Sequence, residues 1–220
     1  MSELYALLKD RVPLEKAMVY AVIKKVNEKD VNNNRTNNIS KAINGKCEEL
    51  GLEELKQEIF QRVTGLQSRF WRDRNDLSKE VDQELIKENI IKGIVSGPHL
   101  QEMKTDTLIR WAQILALILV AEELKTTQIR KFLSGVRGVE AKVKRNAPED
   151  FSRQDVAFLK VHLAYAKARQ QASVKPLMEV MTAVIDRIRE EGKEGLEDFK
   201  VFVRFVEAVV AYHRFYGGED

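Results

Sequence analysis

The chain has 220 residues, enough for one domain or two small ones. Hydrophobic residues make up 44% and charged residues 32%, a balance suited to a soluble protein with a buried core. The single cysteine, Cys47, excludes an intrachain disulfide and fits a reducing cytoplasm. The longest apolar run, Ile114 to Ala121, is too short to cross a bilayer, and the first twenty residues lack a signal peptide's cationic start and apolar block. Net charge is +3, but it is unevenly spread. Lys125 to Lys175 holds 12 Lys and Arg against 4 Asp and Glu, whereas Pro176 to Asp220 holds 6 against 10. A basic block inside a nearly balanced chain points to a polyanionic partner; a solvated lysine-rich helix surface is the plainer alternative.

Helical periodicity recurs along the chain and no strand-like alternation persists, so the expected fold is all-α. A first helical piece spans about Glu3 to Glu28, with Pro13 near a break or a new start. Asn32 to Asn38 is polar and turn-prone and reads as a linker. Amphipathic segments follow at Ile39 to Leu50, Leu52 to Val63 and Leu77 to Ile94, and Ser96-Gly97-Pro98 breaks the last. These boundaries give an N-terminal helical extension, 1–104, and a compact bundle of about five helices, 105–220.

In the C-terminal half, the first helix is expected at Asp106 to Leu124. The second starts at Thr126 or Thr127, whose hydroxyl can cap it, and buries Ile129, Phe132, Leu133 and Val136. Gly135 and Gly138 are potential kinks. The third, Ser152 to Ala172, is apolar on much of its circumference, as for a central helix packed on several sides. The fourth begins near Pro176 and buries Leu177, Met181, Val184, Ile185 and Ile188. Gly192 and Gly195 then break the chain before a last helix. There Phe199, Phe202, Val203, Val206, Val209, Val210 and His213 form one apolar face, stopped by Gly217-Gly218.

Catalytic signatures are absent. His99, His162 and His213 have no metal-ligand spacing to one another or to Cys47, and there is no Walker loop, dinucleotide fingerprint or nucleophile elbow. Asp73/Asp76 and Glu190/Glu191 read as solvated acidic faces rather than metal ligands. His213 reads as a core or interface histidine, and no cofactor is implied. The chemistry that remains is cationic. Arg130, Ser134 and Arg137 share one helical stripe flanked by Lys131, with two guanidinium groups roughly 10 Å apart, a span that suits phosphate contacts. Lys160 and Lys167 share a face of the third helix, with Arg169 and Lys175 at and beyond its end. Tyr165 could stack on a base but reads as core. Arg69 to Arg74 interleaves arginine with Phe70 and Trp71; a buried aromatic edge with an arginine rim is the preferred reading there.

Three blocks in order, TTQIRKFL (Thr126 to Leu133), LKVHLAYAKAR (Leu159 to Arg169) and FVEAVVAYHRFYGG (Phe205 to Gly218), resemble the small subunit of the type III-A CRISPR interference complex, the Csm effector. The resemblance covers about half the chain, roughly Thr105 to Gly218. The terminal Tyr-Gly-Gly favours type III-A over the related III-B subunit. It implies a non-catalytic, cytoplasmic assembly subunit that sits beside the backbone and large subunits and neighbouring copies of itself. Its partners would be guide RNA and target RNA, with no membrane. The resemblance makes Arg130, Lys131, Lys160, Lys167 and Arg169 the expected RNA contacts; Arg137 and Lys175 join them on charge alone. Residues before Thr105 have no counterpart in the family pattern. A helical protein-interaction or DNA-binding regulator is the alternative, although the third helix is too apolar for a recognition helix.

Overall fold

Helix formers, amphipathic spacing and well-placed breakers give an all-α chain. The structure, a computed structural model, describes residues 2–170 and 173–219, and only the backbone of 169 and 170. Among the described residues no strand forms; the one β-bridge joins Ser152 to Glu191. The α-helices are α1 Pro13–Lys25, α2 Glu28–Asn32, α3 Thr36–Leu50, α4 Lys56–Leu66, α5 Phe70–Val81, α6 Lys92–Ser96, α7 Thr105–Ala121, α8 Thr126–Val143, α9 Arg153–Ala157, α10 Leu159–Gln170, α11 Lys175–Arg187 and α12 Gly192–Phe215. Backbone of π geometry, Asp82–Ile91, continues α5 into α6. The chain divides into two compact units inside that stretch, Met1–Leu85 and Ile86–Asp220. That division lies upstream of the 104/105 boundary read from sequence.

In the N-terminal unit a short 3-10 turn, Glu3–Leu7, is held on α5 by Asp73. Its carboxylate accepts the backbone N–H groups of Glu3 and Leu4 at 2.9 and 2.7 Å and the Ser2 hydroxyl at 2.7 Å. Pro13 opens α1, as its missing N–H and fixed φ favour. The asparagine run expected as a linker is instead a tight turn between α2 and α3. Thr36 to Asn38 already belong to α3, and Asn38 donates to Asp30 at 3.1 Å. Polar composition marked the turn correctly but carried no information about its length. Phe70 is buried with the Arg74 guanidinium over its ring, while Trp71 and Arg72 face outward. Cys47 is buried, and burial pushes its thiol up to about 11, which keeps it protonated and inert.

The C-terminal unit is built round α12. Its buried face, Phe199, Phe202, Val203, Phe205, Val206, Val209 and His213, packs chiefly on α7, whose own buried set includes Ala112, Leu115, Ala116 and Leu119. Gly195 lies within α12 rather than ahead of it. A Cβ there would meet the Phe151 ring at 2.8 Å and the Arg189 carbonyl at 2.6 Å, so glycine is required by close packing. The segment before α7 belongs to the same core: Gly93 lies so close to Trp111 that an added Cβ would sit 2.4 Å from the indole.

The third expected helix departs from the sequence reading. It is divided at Phe158 into α9 and α10, and it is not central. Val156, Leu159 and Leu163 are buried, but Phe158, Val161 and Tyr165 are among the most exposed large hydrophobic side chains of the chain. The apolar circumference was real; only one side of it is covered within the monomer.

Two glycines should respond oppositely to alanine. Gly93→Ala is expected to lower stability by about 1–3 kcal/mol through overpacking against Trp111. Gly138, exposed within α8 with open space at its Cβ, should gain about 0.5–1 kcal/mol as alanine. Denaturant melts of the two variants measure both. A fragment beginning at Ile86 should melt cooperatively. One beginning at Thr105 loses Gly93 and the Gln101 N–H bond to Asp198, and should melt at lower temperature.

Candidate nucleic-acid interface

The position of α8 is set at its first residue. After α7 the chain turns through Glu123, which adopts a positive φ of 59°. Thr126 does not use its hydroxyl to cap its own helix. Instead the hydroxyl faces Nδ1 of His213 at 3.3 Å, while His213 Nε2 donates to the Leu124 carbonyl at 2.9 Å. The helix start is satisfied from elsewhere: the Thr126 N–H donates to the Glu219 carbonyl at 2.7 Å, and the Gln128 side chain accepts from the Lys125 N–H at 3.2 Å. Gly218 closes over the imidazole, where a Cβ would lie 2.2 Å from the ring. The terminal Gly-Gly is therefore a lid on a buried histidine as well as a helix stop.

Burial lowers the His213 pKa from its ordinary 6.5, the neighbouring Arg214 charge adds to this, and the Leu124 carbonyl opposes it. The folded protein thus holds a neutral imidazole, while the unfolded chain takes up a proton near its ordinary value. Stability from this group is fully present above about pH 6.5 and is lost as pH falls through the lower folded pKa. The melting temperature should drop between pH 7.5 and 5.5, and His213→Gln, less stable at neutral pH, should flatten that dependence. Thr126→Val should cost about 1–3 kcal/mol by leaving Nδ1 without its partner.

From this anchor, α8 buries Ile129, Phe132, Val136 and Val143, leaves Leu133 half-buried, and turns Arg130, Lys131, Ser134 and Arg137 outward. It runs through Gly135 and Gly138 to Val143 without ending at either. Gly135 instead admits α10: its Cβ would stand 3.2 Å from Leu159 and 3.5 Å from the His162 ring. The two basic segments read from sequence are thereby packed side by side.

Their cations differ in how they are engaged. Arg137 bridges Glu140 and Glu207, and Lys160 pairs with Asp186. Lys175 stands 3.8 Å from Glu179. Lys131 and Lys167 are exposed and form no ion pair among the described residues; Arg130 is exposed beside Lys131. The Arg169 side chain lies outside the described residues. Three exposed arginines that sequence reading passed over, Arg110, Arg145 and Arg204, also form no ion pair among the described residues. Arg110 and Arg204 are isolated in sequence, and Arg145 ends the short run Lys142-Val143-Lys144-Arg145, so no helical spacing pattern marked them.

Between α8 and α10 lies a cleft of about 510 Å³, lined by residues that include Phe132, Gly135, His162, Ala166 and Leu177. Among the described residues no group of three or more His, Cys, Asp or Glu side chains could hold a metal ion, and no helix is long and apolar enough to cross a membrane. Three of the four acidic residues singled out in the sequence are engaged otherwise. Asp73 caps the first turn, Asp76 pairs with Lys79, and Glu190 pairs with Arg153.

A sequence model of the family described as Csm2 Type III-A matches residues 102–219. A Streptococcus thermophilus protein named CRISPR system Cms protein Csm2 is 36% identical over 98 residues, covering 44% of this chain and 76% of the relative. No solved structure matches significantly.

Proposed function

The chain belongs to the Csm2 family of type III-A CRISPR systems and is a small subunit of the Csm complex; from that premise we propose that it acts without catalysis, lining the path of guide RNA and target RNA through phosphate contacts. The observation that carries this reading is the outward cationic surface of α8 and α10, where Arg130, Lys131 and Lys167 stand on adjacent helices. Phosphate contacts of this kind position a nucleic acid without reading its sequence. Arg137, Lys160 and Lys175 are secondary contacts on this account, because each already has a carboxylate neighbour. Arg169, whose side chain lies outside the described residues, is included on the family resemblance alone. Exposed Phe158 and Phe215 supply apolar anchors for the other Csm subunits and for neighbouring copies of the chain.

Titration of the full chain with single-stranded RNA at several salt concentrations tests the proposal. With about three to five phosphates neutralised, log affinity should fall against log salt with a slope of roughly −2 to −3.5. Replacing Lys131 and Lys167 together by Ala should weaken binding to all sequences alike and reduce the slope by about 1.4. Both are exposed, so the melting temperature should hold. Arg137→Ala should weaken binding less than the double variant. Salt-independent binding, or one strongly preferred sequence, would overturn the reading.

A further inference from the structure

The cleft between α8 and α10 has no place in a surface that contacts phosphates alone. It has about 510 Å³ of space, within the range of small-molecule sites, and its walls are mostly apolar. Phe132 lies in one wall, and the exposed Tyr165 ring lies in the other. Gln128 and His162 supply an amide and an imidazole, few polar groups but enough to orient a flat heterocycle. No carboxylate lines it among the described residues, and Lys131 is part of its wall. Lys167 follows directly after Ala166, another lining residue.

We propose that this cleft receives one unstacked nucleobase of the bound RNA, with Tyr165 as its stacking surface and Lys131 and Lys167 holding the flanking phosphates. The occupant is set by charge and shape together. A polyanion is drawn to the cationic rim, and the only apolar faces RNA offers are those of its bases. Aromatic side chains stack on single-strand bases with little regard to which base is present. A site of this kind adds affinity and register without sequence preference. The inference rests on the RNA-binding reading and goes beyond it, because phosphate contacts alone need no cleft.

The test compares two oligonucleotides of equal length and charge, oligoadenylate and a fully abasic ribose-phosphate strand, on the full chain. Oligoadenylate should bind about tenfold or more tightly than the abasic strand. Tyr165→Ala should remove most of that difference and leave abasic binding unchanged, whereas Tyr165→Phe should keep it. Lys131→Ala should weaken both strands. Ala166→Phe, which fills the cleft from its wall, should act as Tyr165→Ala does. Equal binding of the two strands by the unaltered chain overturns the base site while leaving the phosphate-contact reading intact. Failure of both strands to bind overturns that reading and this inference with it. A Tyr165→Ala chain that keeps both affinities, yet no longer assembles with the other complex subunits, overturns the base site and assigns the cleft to a protein partner.

Discussion

The buried imidazole of His213 is the constraint on which the C-terminal unit depends. One ring joins the end of α12 to the turn that launches α8, through the Leu124 carbonyl on one nitrogen and the Thr126 hydroxyl on the other. A buried polar ring without partners costs a large part of a domain's net stability; satisfied on both sides, it fixes geometry. Near the other end of α12 a second buried polar group works similarly. Asp198, fully buried, accepts from the Arg189 side chain at 2.8 Å and from the Gln101 N–H at 3.0 Å. The pairing also holds Arg189 more firmly protonated than usual. Between the two lie the phenylalanines and valines that pack on α7. Apolar burial supplies most of the driving force, but it is non-directional. Asp198 and His213 specify which register of the greasy face is used.

This anchoring reaches the surface in two steps. The His213 junction fixes where α8 starts, and therefore which residues of a 3.6-residue repeat point outward. Gly135 then fixes how closely α10 lies against α8. Arg130 and Lys131 of one helix and Lys167 of the other stand together only because both conditions hold. The carboxylates complete the selection. Glu140, Glu207 and Asp186 occupy some of the cations, so the surface open to a polyanion is narrower than the count of lysines and arginines indicates.

Much of the fold was legible in the sequence because helical spacing, prolines and terminal glycines report local geometry directly. The apolar face of α12, the start of α11 at Lys175-Pro176 and the break at Ser96-Gly97-Pro98 needed nothing more. What failed was tertiary. Gly195 and Gly135 look like helix breakers in a linear reading, but both are close-approach points inside continuous helices. Thr126 looks like a cap but bonds to a side chain 87 positions away. Tyr165 reads as core because its helix is greasy all round, and periodicity cannot say which flank a neighbour covers. For the candidate site, sequence found the cationic stripes but not the cleft between them. A cleft belongs to a pair of helices and has no signature in either one.

The family pattern therefore mixes two kinds of information. In TTQIRKFL, Thr126, Ile129 and Phe132 are buried and belong to the scaffold, while Arg130 and Lys131 between them face outward. In the closing YHRFYGG the buried positions are scaffold: His213 bonds to the α8 junction, Tyr216 is buried, and Gly217, at a φ of 84°, lets the chain fold back so that Gly218 covers the ring, while Arg214 and Phe215 face outward. The strongest identifying motif thus carries little of the proposed chemistry itself. It holds α8 at the angle from which weaker, less distinctive residues can act. Scaffold positions tolerate few side chains because each meets several neighbours at once. A solvent-facing lysine meets few, and long-range attraction to a phosphate is satisfied from more than one position. Such a scaffold motif is consequently a poor guide to which cations would meet the proposed RNA, and the separation of buried from outward residues within each block is the better one.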